Sequence, residues 1–519
     1  MMVSLGRGVT LRLALGVLLA GIACASAPAE DVDGPVTFCE HIAPILWEHC
    51  ASCHRPGEVG LFPLLTYRDA AKRAKFLAEI THVRRMPPWK PEPGFGHFKD
   101  VRRLSEDQID LFARWLEADT PRGDPAKLPE RPEFAEGWQL GEPDLVVKMS
   151  QPFDVPAGGR DVYRCFVIPL GLEQDRMVSA VEFRPGNRAV VHHSIMFLDA
   201  TGEARKLDGR DGKPGYRSFG GAGVSPTGGL GAWLPGTVPR HLPEGFARYV
   251  RKDSDLVLQV HYHPTGKPEC DQSQVGIHFA KPPVEKIITG IAITQPKLVL
   301  PAGDPHCVVR ASTRPLPVDV NVLGVSPHMH YLGREFKVAA RLPDGQGFVP
   351  LIWIKDWDVN WQGSYELAEP VRLPKGTVIC VQAIYDNSEN NPQNPNHPPK
   401  EVRWGEQVDD EMCLCGVQIF TDEREDLAAI AEMPGFELAA GLEGGVPLPE
   451  DPAARARALA RRRKSGGIIP VFQKESRLMI PYDTDKNGWL SREEMSKMSG
   501  PMQSFLLRKY YRGRRTAPE

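Results

Sequence analysis

The sequence predicts a multidomain chain: a small all-α N-terminal domain, a body of antiparallel β-sandwiches, and a short helical appendix. Three observations predict this. At 519 residues the chain exceeds one ordinary domain of about 150 residues. Its 49 Gly and 49 Pro favour a turn-rich β body over a helical one. The hydrophobic period also changes, from helical spacing before residue 122 to short apolar runs between turns after residue 141.

Residues 1–27 read as a signal peptide. Arg7 and Arg12 supply charge, Leu13 to Ile22 an apolar core, and Ala25-Ser26-Ala27 a cleavage site. The apolar run falls short of the ~20 residues needed to span a bilayer. Lipidation at Cys24 is the alternative, although Gly21 stands where a Leu is wanted. An exported chain, periplasmic or secreted, with no stable membrane span is expected, and its cysteines should meet oxidising conditions. A net charge of -3 advertises no basic surface and excludes a nucleic-acid partner.

Residues 35–122 form the predicted helical domain, in which Leu104 to Ala118 carries a Ser cap, early acids and helical apolar spacing. Within it, Cys50-Ala51-Ser52-Cys53-His54 is a Cys-x-x-Cys-His pentad. Two thiols at this spacing bond both haem vinyl groups, and the adjacent His ligates the iron. A redox dithiol would need a βαβ setting, and zinc two further ligands nearby. Met86, before Pro87-Pro88, is the expected sixth ligand, with His82 and His97 as alternatives. The stretch from Phe38 to Pro121 resembles small bacterial cytochrome c domains, with Cys39 left as a buried thiol.

Residues 123–140 are Pro- and charge-rich and read as a linker. Beyond them, runs such as Leu256–Val260, Val320–Val325 and Thr377–Ile384 read as strands. Gly220–Gly236 lacks the Gly-Lys-Ser/Thr ending of a phosphate loop and reads as a long turn.

Four segments in this body carry metal-ligand chemistry: Val190-Val191-His192-His193, Leu258-Gln259-Val260-His261-Tyr262-His263, His328-Met329-His330-Tyr331-Leu332-Gly333 and Asp410-Glu411-Met412-Cys413. Strand residues two apart share a face, so His328 and His330 can grip one ion. Adjacent His192 and His193 should point apart unless the backbone bends there. Imidazole suits copper, zinc and iron, and a thioether selects Cu(I). Each histidine alone reads as an ordinary strand residue; the set reads as two copper sites.

In this order, the segments resemble the copper type II ascorbate-dependent monooxygenases, the family of peptidylglycine α-hydroxylating and dopamine β-monooxygenases. The resemblance implies two jelly-roll-like β-sandwich domains, 141–285 and 286–435, with one copper on each, facing across a cleft. It implies that His192, His193 and His261 hold an electron-transfer copper. His328, His330 and Met412 would hold the catalytic copper, where O2 is used to hydroxylate a C–H bond. It implies disulfides Cys165–Cys270 and Cys380–Cys413, and leaves Cys307–Cys415 as a third pair. His263 lies on the face of His261 as a spare ligand or, better, a non-ligand.

The substrate is not inherited. Peptide-amidating relatives place Arg, Asn and Tyr where this chain has Ser326, Leu414 and Gly416, so a peptidylglycine substrate is not expected and the small substrate stays unknown. The fused haem motif implies electron delivery to the first copper from haem, fed by an external donor, ascorbate or a redox protein. A non-catalytic copper and haem electron carrier or copper-binding protein on the same scaffold is the alternative, and an interaction module with decayed sites a third. After a linker at 436–474, the appendix 475–519 contains a loop with EF-hand spacing. Calcium ligands would be Asp483, Asp485, Asn487, the Trp489 carbonyl, Ser491 and Glu494, with Gly488 at the turn.

Overall fold

The computed structural model describes residues 34–434, except 136, 160, 219, 220, 346 and 406–408, together with the backbone of the paired segments Ile469–Pro470 and Trp489–Leu490. The signal peptide and the calcium-loop side chains lie outside the described residues.

The expected fold class is corrected. The described molecule is mostly β, built on four main blades of almost wholly antiparallel sheet, and its five α-helices are short. They are α1 (Ala43–His49), α2 (Tyr67–Ala71), α3 (Ala74–His82), α4 (Glu106–Glu117) and α5 (Leu427–Ala431). Among the described residues no substantial all-α cytochrome c domain stands toward the N-terminus. The reason is visible in the chain between α3 and α4. Proline at 87, 88, 91 and 93 cannot continue a helix and biases each preceding residue to extended backbone. That strap lies along the β body. Pro91 bridges Ile354, Phe98 bridges Leu367, and Glu92 N–H donates to the Trp353 carbonyl at 2.7 Å. Lys90 pairs with Asp356 at 2.8 Å, and Lys99 pairs with Glu366. Trp89 and Phe98 pack against the core of the last two blades.

The helices that do form follow local rules. Ser105 caps α4 by accepting from Gln108 N–H, while the Gln108 side chain accepts from Ser105 N–H. Asp119 and Thr120, both in the left-handed region at φ 61° and 55°, follow its end. Its apolar face buries Ile109, Phe112 and Trp115 against Phe38, Ile42 and Leu46, each large side chain contributing about 1.5–3 kcal/mol.

The first blade orders Leu145–Lys148, Gln274–Phe279, Arg176–Arg184, Phe246–Val250 and Lys286–Ile287. The second orders Tyr216–Arg217, Val162–Pro169, Asp255–Tyr262, Val191–Asp199 and Gly228–Trp233. One apolar cluster draws Val178 and Ile277 from the first and Phe166, Leu258 and Tyr262 from the second. The third orders Thr289–Thr294, Leu414–Phe420, Val320–His328 and Tyr365–Leu373; the fourth orders Cys307–Ser312, Val378–Tyr385, Gly333–Arg341 and Phe348–Ile354. These two share a second cluster, including Val325, Val417, Phe336 and Val381. Among the described residues no helix is long and apolar enough to cross a membrane.

Candidate metal centres

The second blade brings His192, His193 and His261 together. Val191 pairs with Tyr262 and His193 with His261, so His192 is the extra residue of a β-bulge. The bulge supplies the bend that adjacent histidines need to face one point. His192 Nδ1 lies 3.2 Å from His193 Nδ1, which lies 3.3 Å from His261 Nδ1. Ligand nitrogens at about 2.0 Å from one tetrahedral ion stand about 3.3 Å apart, so this triangle is of metal-binding size. One ligand atom from each of the three residues lies within 4.8 Å of the others. Burial, with the charge of His261, pushes His192 down to about 4; burial above all holds His193 well below the usual imidazole value. Both are therefore neutral at neutral pH, the form that binds metal.

Around His261 the sequence reading missed two residues. Asp161 Oδ2 lies 2.7 Å from His261 Nε2, and Tyr163 stacks on the His261 ring at 4.1 Å and 10°. His263 is not a member of the triangle; its Nδ1 meets Asp161 Oδ1 at 2.9 Å.

The second pocket forms where the third-blade strand Val320–His328 ends. His328 and His330 set their rings 5.1 Å apart at 85°. His328 Nδ1 meets Gln362 Oε1 at 2.5 Å and His330 Nδ1 meets the Asp410 carbonyl at 3.0 Å, which orients both rings to offer Nε2 to an ion. Met412 is buried, and Glu411 ties its main chain to that of His330. Its Oε2 accepts from both His330 N–H, at 2.8 Å, and Met412 N–H, at 3.0 Å, while Oε1 accepts from Leu332 N–H at 2.7 Å. Glu411 is fully buried, and burial raises its carboxyl to about 8 against the pull of those amides. Glu411 and Gln362 are further residues the sequence reading gave no role. A carboxylate directly before a Met ligand was the one available signal. Burial pushes His328 down to about 3. The two sites lie near enough for His328 to act electrostatically on His193, and Tyr331 on Tyr163.

The haem motif is a tight turn capping α1. Cys53 and His54 N–H donate to the Cys50 carbonyl at 3.1 and 2.8 Å. His54 Nδ1 lies 3.0 Å from the Phe62 carbonyl, which leaves Nε2 as the nitrogen a metal would take. A Cβ at Gly60 would lie 2.8 Å from His54 Nδ1, so the turn requires glycine there. Burial raises Cys50 to about 12 and also raises Cys53. Two thiols and one imidazole on a single turn are the donor set that a covalently attached haem would need. Met86 instead lines a cavity of about 20 Å³ with Thr81, Pro87, Trp89 and Leu104, none of them from the motif, and His82 and His97 are exposed. The sixth ligand has no assignment in the structure.

The motif docks on the second blade. Glu58, four residues past His54, accepts from Arg55 at 3.0 Å and from Arg188 at 2.6 Å. Arg188 precedes His192 by four residues. A Cβ at Gly236, just beyond the blade's edge strand, would lie 3.2 Å from Cys53 Sγ.

The three expected disulfides are corrected, since the described cysteines are free thiols. Cys165 faces a small outer cluster with Tyr216 and Val257, whereas Cys270 is exposed. Strand alternation puts Ile379 and Val381 into the core and turns Cys380 outward, away from the buried Cys413. Cys307 and Cys415 both enter that core but remain unjoined. Cys39 is buried, as expected. The calcium ligands Asp483, Asp485, Asn487, Ser491 and Glu494 lie outside the described residues; the Trp489–Leu490 backbone pairs with Ile469–Pro470. No family model matches the chain, and no curated protein matches it.

Proposed function

We propose that the chain is an exported copper-dependent monooxygenase of the type II ascorbate-dependent kind, hydroxylating a small substrate, with electrons passing through a haem on Cys50, Cys53 and His54. The observation that carries this reading is the three-imidazole cluster on one blade, with two further imidazoles at a strand end of another whose main chain shares one buried carboxyl with that of Met412. A mixed imidazole and thioether set favours copper in its lower oxidation state. Bound copper would supply one-electron transfer at the first pocket and O2-dependent insertion of one oxygen atom at the second.

The residues divide the work. His192, His193 and His261 hold the electron-transfer ion; His328, His330 and Met412 hold the other, beside the substrate. The wall near His328 is small and neutral. Ser326 Oγ meets Ser364 Oγ at 2.9 Å, and Ser326 pairs with Gly416 across the strands. Such a wall offers no cation to a peptide carboxylate and supports an uncharged substrate. Docking of the haem motif through Glu58 and Arg188 supports delivery of electrons to the first pocket. Calcium in the loop at Asp483 to Glu494 is a structural ion on this reading.

Metal analysis of the purified chain tests the assignment: near two coppers and one iron per chain are expected. Oxygen uptake by reduced protein against a panel of small molecules tests catalysis. A chain with neither copper nor substrate-dependent uptake overturns the reading.

A further inference from the structure

We propose that Asp161 is a positioning residue of the three-histidine pocket, anchored by His263, an inference that rests on the metal-binding reading above. An imidazole has two nitrogens, and which of them ligates depends on what holds the other. At His261 the choice is made by the chain itself. Nδ1 turns to His193 Nδ1 at 3.3 Å, while Nε2 is held by Asp161 Oδ2 at 2.7 Å. The second carboxylate oxygen does not face solvent unopposed; it meets His263 Nδ1 at 2.9 Å. Asp161 therefore spans two histidines that share one strand face, His261 buried and His263 exposed.

The restraint is doubled by Tyr163. It pairs directly with His261 across the strands and stacks on the ring at 4.1 Å and 10°. The stack opposes tilting of the ring, and the carboxylate opposes its rotation by half a turn. Asp161 and Tyr163 stand two apart, so both approach His261 from one side of the chain. A carboxylate on the rear nitrogen fixes the tautomer and strengthens the ligating nitrogen as a donor. His263 thus has a function without being a ligand: it keeps Asp161 from swinging away from His261.

The test uses the full chain carrying His328→Ala and Met412→Ala, which confines copper binding to the first pocket. Copper affinity is measured by competition with a chromophoric chelator, and pulsed EPR of the Cu(II) form reads the remote imidazole nitrogen. Asp161→Asn should weaken copper binding about 10–100-fold and shift the remote-nitrogen signal. Asp161→Glu should recover part of the loss, and His263→Ala should show a smaller loss in the same direction. If the background chain binds no copper at the three histidines, the metal reading falls and takes this inference with it. If it binds copper and Asp161→Asn and His263→Ala leave affinity and signal unchanged, the inference alone falls.

Discussion

The glycine that closes His328-Met329-His330-Tyr331-Leu332-Gly333 offers a direct test of how the second pocket is held. Gly333 opens the strand Gly333–Arg341, and its backbone is not left-handed, so conformational freedom is not the reason for glycine. Space is the reason. A Cβ there would lie 2.8 Å from Met329 Cε, 2.8 Å from Trp357 Cδ1 and 3.0 Å from Met329 Cβ. Neither neighbour yields easily: Met329 is fully buried, and Trp357 is buried with its Nε1–H donating to the His330 carbonyl at 3.2 Å.

Gly333→Ala therefore overpacks a closed site, at a cost of about 1–3 kcal/mol. The displacement also has a direction. Relief by Trp357 pulls on the His330 carbonyl, and His330 N–H is held by the Glu411 oxygen that also holds Met412 N–H. A stability change should thus be accompanied by weaker copper binding at the second pocket and unchanged binding at the first. Urea unfolding followed by tryptophan fluorescence reads the first effect as a lower midpoint at unchanged slope. Chelator competition reads the second. A variant with the wild-type midpoint and wild-type copper affinity would refute the packing argument, because the alanine methyl would then have found room that the distances deny it.

Two further predictions concern the first pocket. Burial holds His192 down at about 4 and His193 well below the ordinary value of 6.5. Protons compete with the metal only where imidazoles titrate, so copper retained after dialysis should stay flat as pH falls through the ordinary histidine range and drop only near about 4; loss centred near 6.5 would contradict it. Arg188→Ala removes one of the two cations on Glu58 at the docked haem motif. It should leave copper and iron contents intact and slow haem oxidation in stopped-flow mixing of reduced protein with O2; an unchanged rate would remove the docking contact from the electron path.

What the sequence displayed, and what it hid, follows from the range of the interactions involved. The strand pattern placed Leu256–Val260, Val320–Val325 and Thr377–Ile384 in strands; the first two lie within Asp255–Tyr262 and Val320–His328, and the third begins one residue before Val378–Tyr385. The Ser cap of α4 was equally readable, because a cap is settled within four residues. The meeting of His192 with His193 was not, since a bulge depends on register with Asp255–Tyr262, some seventy residues away. The all-α expectation failed at 83–103. Helical spacing on either side hid a proline-rich strap whose partners, Trp353, Ile354 and Leu367, lie far along the chain. Asp161 and Gln362 left no signal because a supporting hydrogen bond has no spacing of its own. The cysteine pairs failed for a local reason: Cys380 stands between two core residues, so strand alternation alone turns it outward.

The two pockets are held in different ways, and the difference bears on their chemistry. The three-histidine set sits within the paired strands of one blade, so its geometry is fixed by sheet register and by the bulge. Shifting the main chain at His193 or His261 means disturbing the pairing between their two strands. The other set is gathered from a strand end and a loop, and the Met412 main chain is tied to that of His330 through one buried carboxyl group. An electron-transfer ion gains from a frame that does not change between oxidation states. A site that must admit a second molecule gains from a ligand able to shift without unravelling a sheet. Met412, unbranched and anchored by its backbone amide, can move its sulfur while Glu411 keeps its main chain in place. The proposed assignment of electron transfer to the first pocket and substrate chemistry to the second agrees with the mechanics of each.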